Sequence, residues 1–246
     1  MISNILKNYS FIYASQGKRM RPDPSYDNYR SKWKELYQQK NYDTGLTGYF
    51  LRKSHMWSEK NFDRNVHFSK VLEVGAGTCE HIKHVNHSFD DYLITDLHPL
   101  RNNIKLPPNA EGRGKIRFSQ ADASKLSFQS SYFDRLIAAH VLEHLYRPYA
   151  VMREWMRVLK PGGIMTLVLP CDPGLLWRLG RGLVAREKFI KAALEYDYWQ
   201  AREHVNPINN LVSFIRYYFQ EVEENWQPCL VPSIDINLFY IVHIQK

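Results

Sequence analysis

Residues 70–81 read KVLEVGAGTCEH. Lys70–Val74 is a short apolar run of strand character, broken only by Glu73. Gly75-Ala76-Gly77 then makes a turn, and a helix is expected to begin near Glu80. Glycines let a backbone approach a ligand closely, and a helix start offers unpaired N–H groups. Four more runs of this kind follow: DYLITD (91–96), KIRFSQAD (115–122), FDRLIAAH (133–140) and GIMTLVLP (163–170). Segments of helical spacing separate them, most clearly YAVMREWMRVLK (149–160), which stops at Pro161-Gly162-Gly163. Strands alternating with helices predict an α/β fold whose parallel strands are joined by right-handed crossovers. INLFYIVHIQK (236–246) reads as a final strand, and residues 208–219 as a helix started by Asn206-Pro207. In open α/β sheets ligands bind outside the carboxyl ends of the strands, near the first turn.

Composition agrees with a globular protein. The 246 residues are 44% hydrophobic and 24% charged, with 12 Gly and 12 Pro. That excludes disordered and collagen-like classes. No apolar run approaches the roughly 18 residues of a membrane span. The basic residues near the N-terminus follow its short apolar stretch, the reverse of a signal peptide. A cytoplasmic location is expected. Three scattered cysteines, Cys79, Cys171 and Cys229, argue against a disulfide framework and against a cysteine-only zinc site. The net charge is +8, and residues 1–68 carry 12 Lys plus Arg against 6 Asp plus Glu. The excess reads either as a solvated helical face, with YRSKWKELYQQK (29–40) an amphipathic helix, or as a footprint for an anionic partner.

Two more carboxylates fall at strand ends. Asp96 lies nineteen residues after Gly77, and Asp122-Ala123 closes the third run. Either alone is weak evidence, since Asp122 could simply cap the following helix. Taken in order, VLEVGAGTCEH, ITDLHP, FSQADASKLSF, SYFDRLIAAHVLEHL and REWMRVLKPGGIMTLVLP resemble a known family. They are similar to class I S-adenosylmethionine-dependent methyltransferases, in the small-molecule, type 11-like group. The resemblance covers residues 70–170. It implies a Rossmann-like sheet of seven mostly parallel strands with the last reversed, and helices on both faces. It divides the chain into an N-terminal helical lid (1–66) and a methyltransferase domain (67–246) with a helical insertion at about 171–220. It implies S-adenosylmethionine as methyl donor and S-adenosylhomocysteine as product. Gly75, Ala76 and Gly77 would lie near the donor's amino-acid part, supported by Glu73. Asp96 would hold the ribose, Leu97 the adenine face, Asp122 and Ala123 the adenine edge, and His140 the methionine end. Cys79 stands where many members have a third glycine, and reads as a small buried filler.

His140-Val141-Leu142-Glu143-His144 also spells the inverted zinc-peptidase motif H-x-x-E-H. That chemistry needs both histidines on one helix face, and His140 ends a strand, so no metal ligands are assigned. Methyl transfer needs an acceptor held in line, and an oxygen acceptor must also lose a proton. The insertion supplies a polar cluster among aromatics, Arg202-Glu203-His204-Val205-Asn206-Pro207. His204 is the candidate base with Glu203 as its orienter, and His140 is the second candidate. Trp57, Tyr198, Arg178 and Arg202 are candidate acceptor contacts, with Tyr26, Tyr29, His55, Met56 and Glu59 in the lid. Arg178 and Arg181, three residues apart, could clamp an anionic group or lie at a membrane interface. The expected activity is methylation, at oxygen, of a small or sugar- or lipid-linked molecule, by a monomer or homodimer. An RNA methyltransferase and a cofactor-binding pseudoenzyme subunit are the alternatives; nucleic acid is disfavoured because no RNA-binding module is visible.

Overall fold

A computed structural model of the chain describes residues 45–99, 113–181 and 196–246. The expected helix at 29–40, Tyr26, Tyr29 and residues 182–195 of the insertion lie outside the described residues. Helix α1 (Gly45–Ser58) precedes strands β1 (His67–Val74), β2 (Ser88–Asp96), β3 (Lys115–Gln120) and β4 (Phe133–Ala139). Helix α2 (Pro148–Val158) leads into β5 (Leu159–Pro170). The insertion contributes α3 (Leu175–Gly180), α4 (Tyr196–Glu203) and α5 (Ile208–Tyr218) before β6 (Val222–Gln227) and β7 (Phe239–Gln245). The seven strands run in the order β3-β2-β1-β4-β5-β7-β6, and β7 is antiparallel to both its neighbours. The expected Rossmann-like sheet with its reversed last strand is what the chain forms.

Alternation along the strands sorts residues onto two faces. One face carries Leu72, Val74, Leu136, Met165, Leu167, Leu169, Val242 and Ile244. Helices α2 and α5 cover it with stripes at helical spacing: Val151, Met152, Trp155 and Val158 from α2, Ile208, Leu211, Val212 and Ile215 from α5. Trp155 is fully buried, and its indole N–H donates to the Ala123 carbonyl at 2.7 Å. Pro148 at the first turn of α2 suits its missing N–H, which would have had no intrahelical partner.

The opposite face departs from the sequence prediction. The helix expected near Glu80 is only a 3-10 turn, His81–Lys83. Residues 75–87 connect two adjacent parallel strands, near the minimum length of such a crossover, and Cys79 sits in a left-handed conformation (φ 58°) that interrupts helical propagation. This face instead holds α1, packed on β5 and β7. It also holds polar residues that the strand reading of FDRLIAAH did not foresee. Arg135, in the middle of the sheet, is fully buried and meets both carboxylate oxygens of Glu59 at 2.9 and 2.6 Å. Its guanidinium lies 3.8 Å from the Phe62 ring centre and reaches Thr166 Oγ1, which contacts His243 Nδ1 at 3.1 Å. Glu59 Oε1 also meets His81 Nε2 at 2.8 Å. Burial alone would push Glu59 up, but Arg135 and His81 outweigh it and hold the carboxyl at about 2.

Acid should therefore destabilise the protein over two pH ranges. Burial depresses His87, His140 and His243 to about 4. Below pH 6.5 the unfolded chain binds these protons and the native state does not, so stability is full above 6.5 and falls as pH drops toward 4. Glu59 adds a second loss between about 4.5 and 2. The thermal midpoint should already decline from pH 7 to pH 5. His87 lies against Phe62, Phe68 and Phe89, so His87→Phe should flatten that decline, measured by calorimetry across the range.

Candidate functional site

The glycine loop is stitched to the end of β2. Ala76 N donates to the Thr95 carbonyl at 3.0 Å, Thr95 Oγ1 donates to the Glu73 carbonyl at 2.8 Å, and Gly77 N donates to Asp96 Oδ2 at 2.9 Å. Asp96 Oδ1 accepts from His98 N at 2.9 Å. A carboxylate has about four acceptor positions, so two remain for hydroxyls of a ligand. Leu97, next along, is 53% exposed, an apolar surface at the rim. Gln120 Nε2 braces its carbonyl at 2.9 Å. Asp122 lies at the end of β3, exposed, with Oδ1 accepting from Ser124 N and Oγ in an Asx turn. The adjacent Ala123 carbonyl is fixed by Trp155. Glu73 is buried beneath the loop, accepts from Tyr92 O–H at 2.7 Å, and is pushed up by burial. The structure thus brings Glu73, Gly75, Ala76, Gly77, Asp96 and Leu97 together around one loop.

The two glycines differ. Both have positive φ (67° at Gly75, 55° at Gly77). A Cβ on Gly75 would lie 2.5 Å from Val141 Cγ2, whereas one on Gly77 meets nothing within 4 Å. Gly75 is therefore required by close packing against the segment after β4. Cys79 is buried and its thiol is pushed up to about 12 by burial, so it is a filler rather than a nucleophile.

That segment after β4 carries the second half of the site. His140 has a left-handed backbone (φ 58°) and a ring wedged between His55 and Phe239, with Nε2 3.1 Å from Ser54 Oγ. Glu143 is buried in a 3-10 turn (Leu142–His144), one oxygen 3.8 Å from His140 Nδ1 and 3.9 Å from His144 Nε2. The insertion is clamped onto this turn by Asn206, whose side-chain amide donates to the carbonyls of Leu142 and Leu145 at 3.0 and 2.7 Å. The clamp sets His204 beside His144, ring centres 4.8 Å apart.

His204 does not meet the side chain of Glu203. Its Nδ1 faces Asp172 Oδ2 at 3.0 Å, and the Glu203 carbonyl instead accepts from His144 Nδ1 at 2.8 Å. Asp172 also takes Arg181 at 3.0 Å and Gln200 at 3.2 Å. Burial would raise its carboxyl, but the His204 hydrogen bond and Arg181 hold it below the ordinary carboxylate range. The sequence offered one signal for Asp172: a carboxylate two residues past the carboxyl end of a central strand, where such sheets bind ligands. Among the other candidates, Arg178 is exposed on α3, Trp57 is half-buried at the end of α1, and Arg202 stacks 5.2 Å over Trp199 while its guanidinium meets the Tyr198 hydroxyl at 3.2 Å.

Residues 72–167 match a family described as "Methyltransferase domain". The ubiquinone/menaquinone biosynthesis C-methyltransferase UbiE of Coxiella burnetii is 29% identical over 112 residues, covering 43% of this chain and 44% of that protein. The match thus spans less than half the length of that relative. Among solved structures, an S-adenosylmethionine-dependent methyltransferase of Thermotoga maritima, titled a possible histamine N-methyltransferase, superposes with a TM-score of 0.54 at 14% identity, covering 88% of this chain and 99% of that one. The 1,6-didemethyltoxoflavin-N1-methyltransferase of Burkholderia thailandensis, solved with its substrate and S-adenosylhomocysteine, gives 0.51 at 15% identity over 93% of both chains. These two structures are similar in fold.

The packing at Gly75 can be tested directly. Gly75→Ala should lower the thermal midpoint by several degrees and abolish S-adenosylhomocysteine binding in a calorimetric titration. Gly77→Ala should cost only about 1 kcal/mol of left-handed backbone strain. Val141→Ala, which removes the clashing methyl groups, should recover part of the Gly75→Ala loss.

Proposed function

We propose that the chain is a class I S-adenosylmethionine-dependent methyltransferase and that it transfers the donor's methyl group to a small-molecule acceptor that loses a proton. The observation that carries this reading is the adjacency of the two halves of the site. Val141 presses on Gly75 of the loop, and two residues later Glu143 lies against His144 and, through it, His204.

On the donor side, Asp96 would hold the ribose hydroxyls, Leu97 would cover the adenine, and Asp122 with Ala123 would meet the adenine edge. Gly75, Ala76, Gly77 and Glu73 would shape the pocket for the amino-acid end, with His140 beside it. On the acceptor side, His204 would take the proton. A carboxylate can only accept, so the ring hydrogen sits on Nδ1 toward Asp172, and Nε2 presents its lone pair. Asp172, rather than the Glu203 side chain, is the orienting group in this scheme. The reacting oxygen or carbon would then attack the methyl carbon in line as the sulfonium leaves as a neutral thioether. Trp57, Tyr198, Arg178 and Arg202 would contact the acceptor.

UbiE is named as a C-methyltransferase, and the two structural neighbours bear names of N-methyltransferases. A His–Asp pair serves a hydroxyl or an acidic C–H acceptor more than an already neutral amine, which needs no base. We therefore place hydroxyl-bearing acceptors first, sugar-linked and lipid-linked ones included. The test is a methyl-transfer screen with labelled donor over phenolic, hydroquinone, sugar and amine acceptors. A hydroxylated acceptor should turn over, Asp96→Ala should lose donor binding, and His204→Ala should lower kcat by about 100-fold or more at unchanged donor affinity. Turnover confined to amines and indifferent to His204 would overturn the acceptor assignment.

A further inference from the structure

Glu143, His144 and His204 bring three ligand-type atoms close together. A carboxylate oxygen of Glu143 and one ring nitrogen of each histidine lie within 4.8 Å of one another. Both imidazoles are held from behind. His204 Nδ1 faces the Asp172 carboxylate and His144 Nδ1 faces the Glu203 carbonyl, so each ring hydrogen is committed away from the cluster and each Nε2 is left with its lone pair. Outer partners of this kind, a carboxylate and a backbone carbonyl, are the ones that orient metal-binding histidines. Glu143 supplies an independent observation. It is 2% exposed, and its Oε2 accepts no hydrogen bond from any described residue. A buried carboxylate without a donor is costly unless it is paired or bound to a metal.

We propose that Glu143, His144 and His204 form a binding site for a divalent transition cation. Two imidazole nitrogens and one carboxylate oxygen suit zinc, iron, cobalt or manganese rather than the all-oxygen shells of magnesium and calcium. A cation about 2.1 Å from each ligand atom would hold them roughly 3.4 Å apart. Small shifts of the three side chains would supply that contraction, with the His144 Nδ1 bond to the Glu203 carbonyl kept. Three protein ligands leave a coordination position open for an oxygen of a second molecule. With a cation bound, His204 is a ligand and no longer a base, and an acceptor hydroxyl would be acidified by the cation instead. The motif H-x-x-E-H contributes its last two residues to the site. His140, on its left-handed turn, is excluded from the ligand set, and the third ligand comes from the insertion.

The inference does not depend on methyl transfer and is tested without turnover. The full chain, stripped with chelator, is titrated with zinc chloride and manganese chloride by calorimetry, and cobalt loading is followed by its visible d–d absorption. One zinc per chain at micromolar affinity or better is expected. Glu143→Gln and His204→Ala should each weaken it at least tenfold, and Asp172→Asn by about 10- to 100-fold through the outer partner. His67→Ala, an exposed histidine on β1, should leave it unchanged. Circular dichroism of each metal-free variant checks its fold, with His144→Gln as the replacement for any variant that unfolds. Absence of stoichiometric zinc binding, or binding that survives both Glu143→Gln and His204→Ala, would overturn the site.

Discussion

The bidentate pair between Glu59 and Arg135 is the constraint on which the site side of the sheet rests. A guanidinium in the middle of a central strand has no water to hydrate it, and its desolvation penalty is several kcal/mol. Here the cost is offset by two short hydrogen bonds, by Thr166, and by the Phe62 ring, whose centre lies 3.8 Å from the guanidinium carbon. Such pairs rarely add net stability over an apolar replacement, but they tolerate no shift of one partner. Their effect is registration. Glu59 follows directly on α1, so the pair fixes where that helix ends on the sheet. This matters because the β1–β2 connection, reduced to a 3-10 turn, provides no helix of its own to cover that face.

Registration of α1 propagates toward the strand ends. His55 reaches His81 at 3.1 Å, stacks on His84 and meets the edge of His140, while Ser54 contacts the same His140 ring. Buried imidazoles cannot hold a proton cheaply, and His55, His84 and His140 all lie below their ordinary range, chiefly through burial. The floor of the site is thus packed with neutral, polarisable rings. A cationic sulfonium near His140 would meet lone pairs and ring faces there instead of like charge.

The sheet was legible because strands buried on both faces read as apolar runs, and because KVLEV, DYLITD and GIMTLVLP are each bounded by turn residues. Asp96 and Asp122 were legible because each ends a strand. Arg135 was not, because one charge in FDRLIAAH leaves the local apolar pattern intact and its partner is 76 residues away. Asp172 was missed for a related reason. Nothing beside it in the sequence indicates that Gln200 and His204 fold back onto it, whereas Glu203 is next to His204 and points elsewhere. Adjacency in sequence misleads on a helix, where consecutive side chains diverge by about 100°. The expected helix at Glu80 failed because the distance between strands, a tertiary constraint, outweighed the local pattern.

The division of labour in the fold follows from which contacts are local. The loop, Asp96 and Leu97 are held by hydrogen bonds among the ends of β1, β2 and β3, so this side of the site is fixed by the sheet itself. The side around His204 depends on Asn206 and Asp172, which tie the insertion to the turn after β4 and to the end of β5. Asn206 satisfies two carbonyls of that turn at once, and Asp172 gathers Arg181 from after α3 and Gln200 and His204 from α4 and its end. Lengthening or exchanging the insertion would leave the cradle intact and remove His204 from His144. The glycine loop is therefore separable from the placement of His204 in this chain, and the point of separation is the pair of hydrogen-bonded hubs, Asn206 and Asp172.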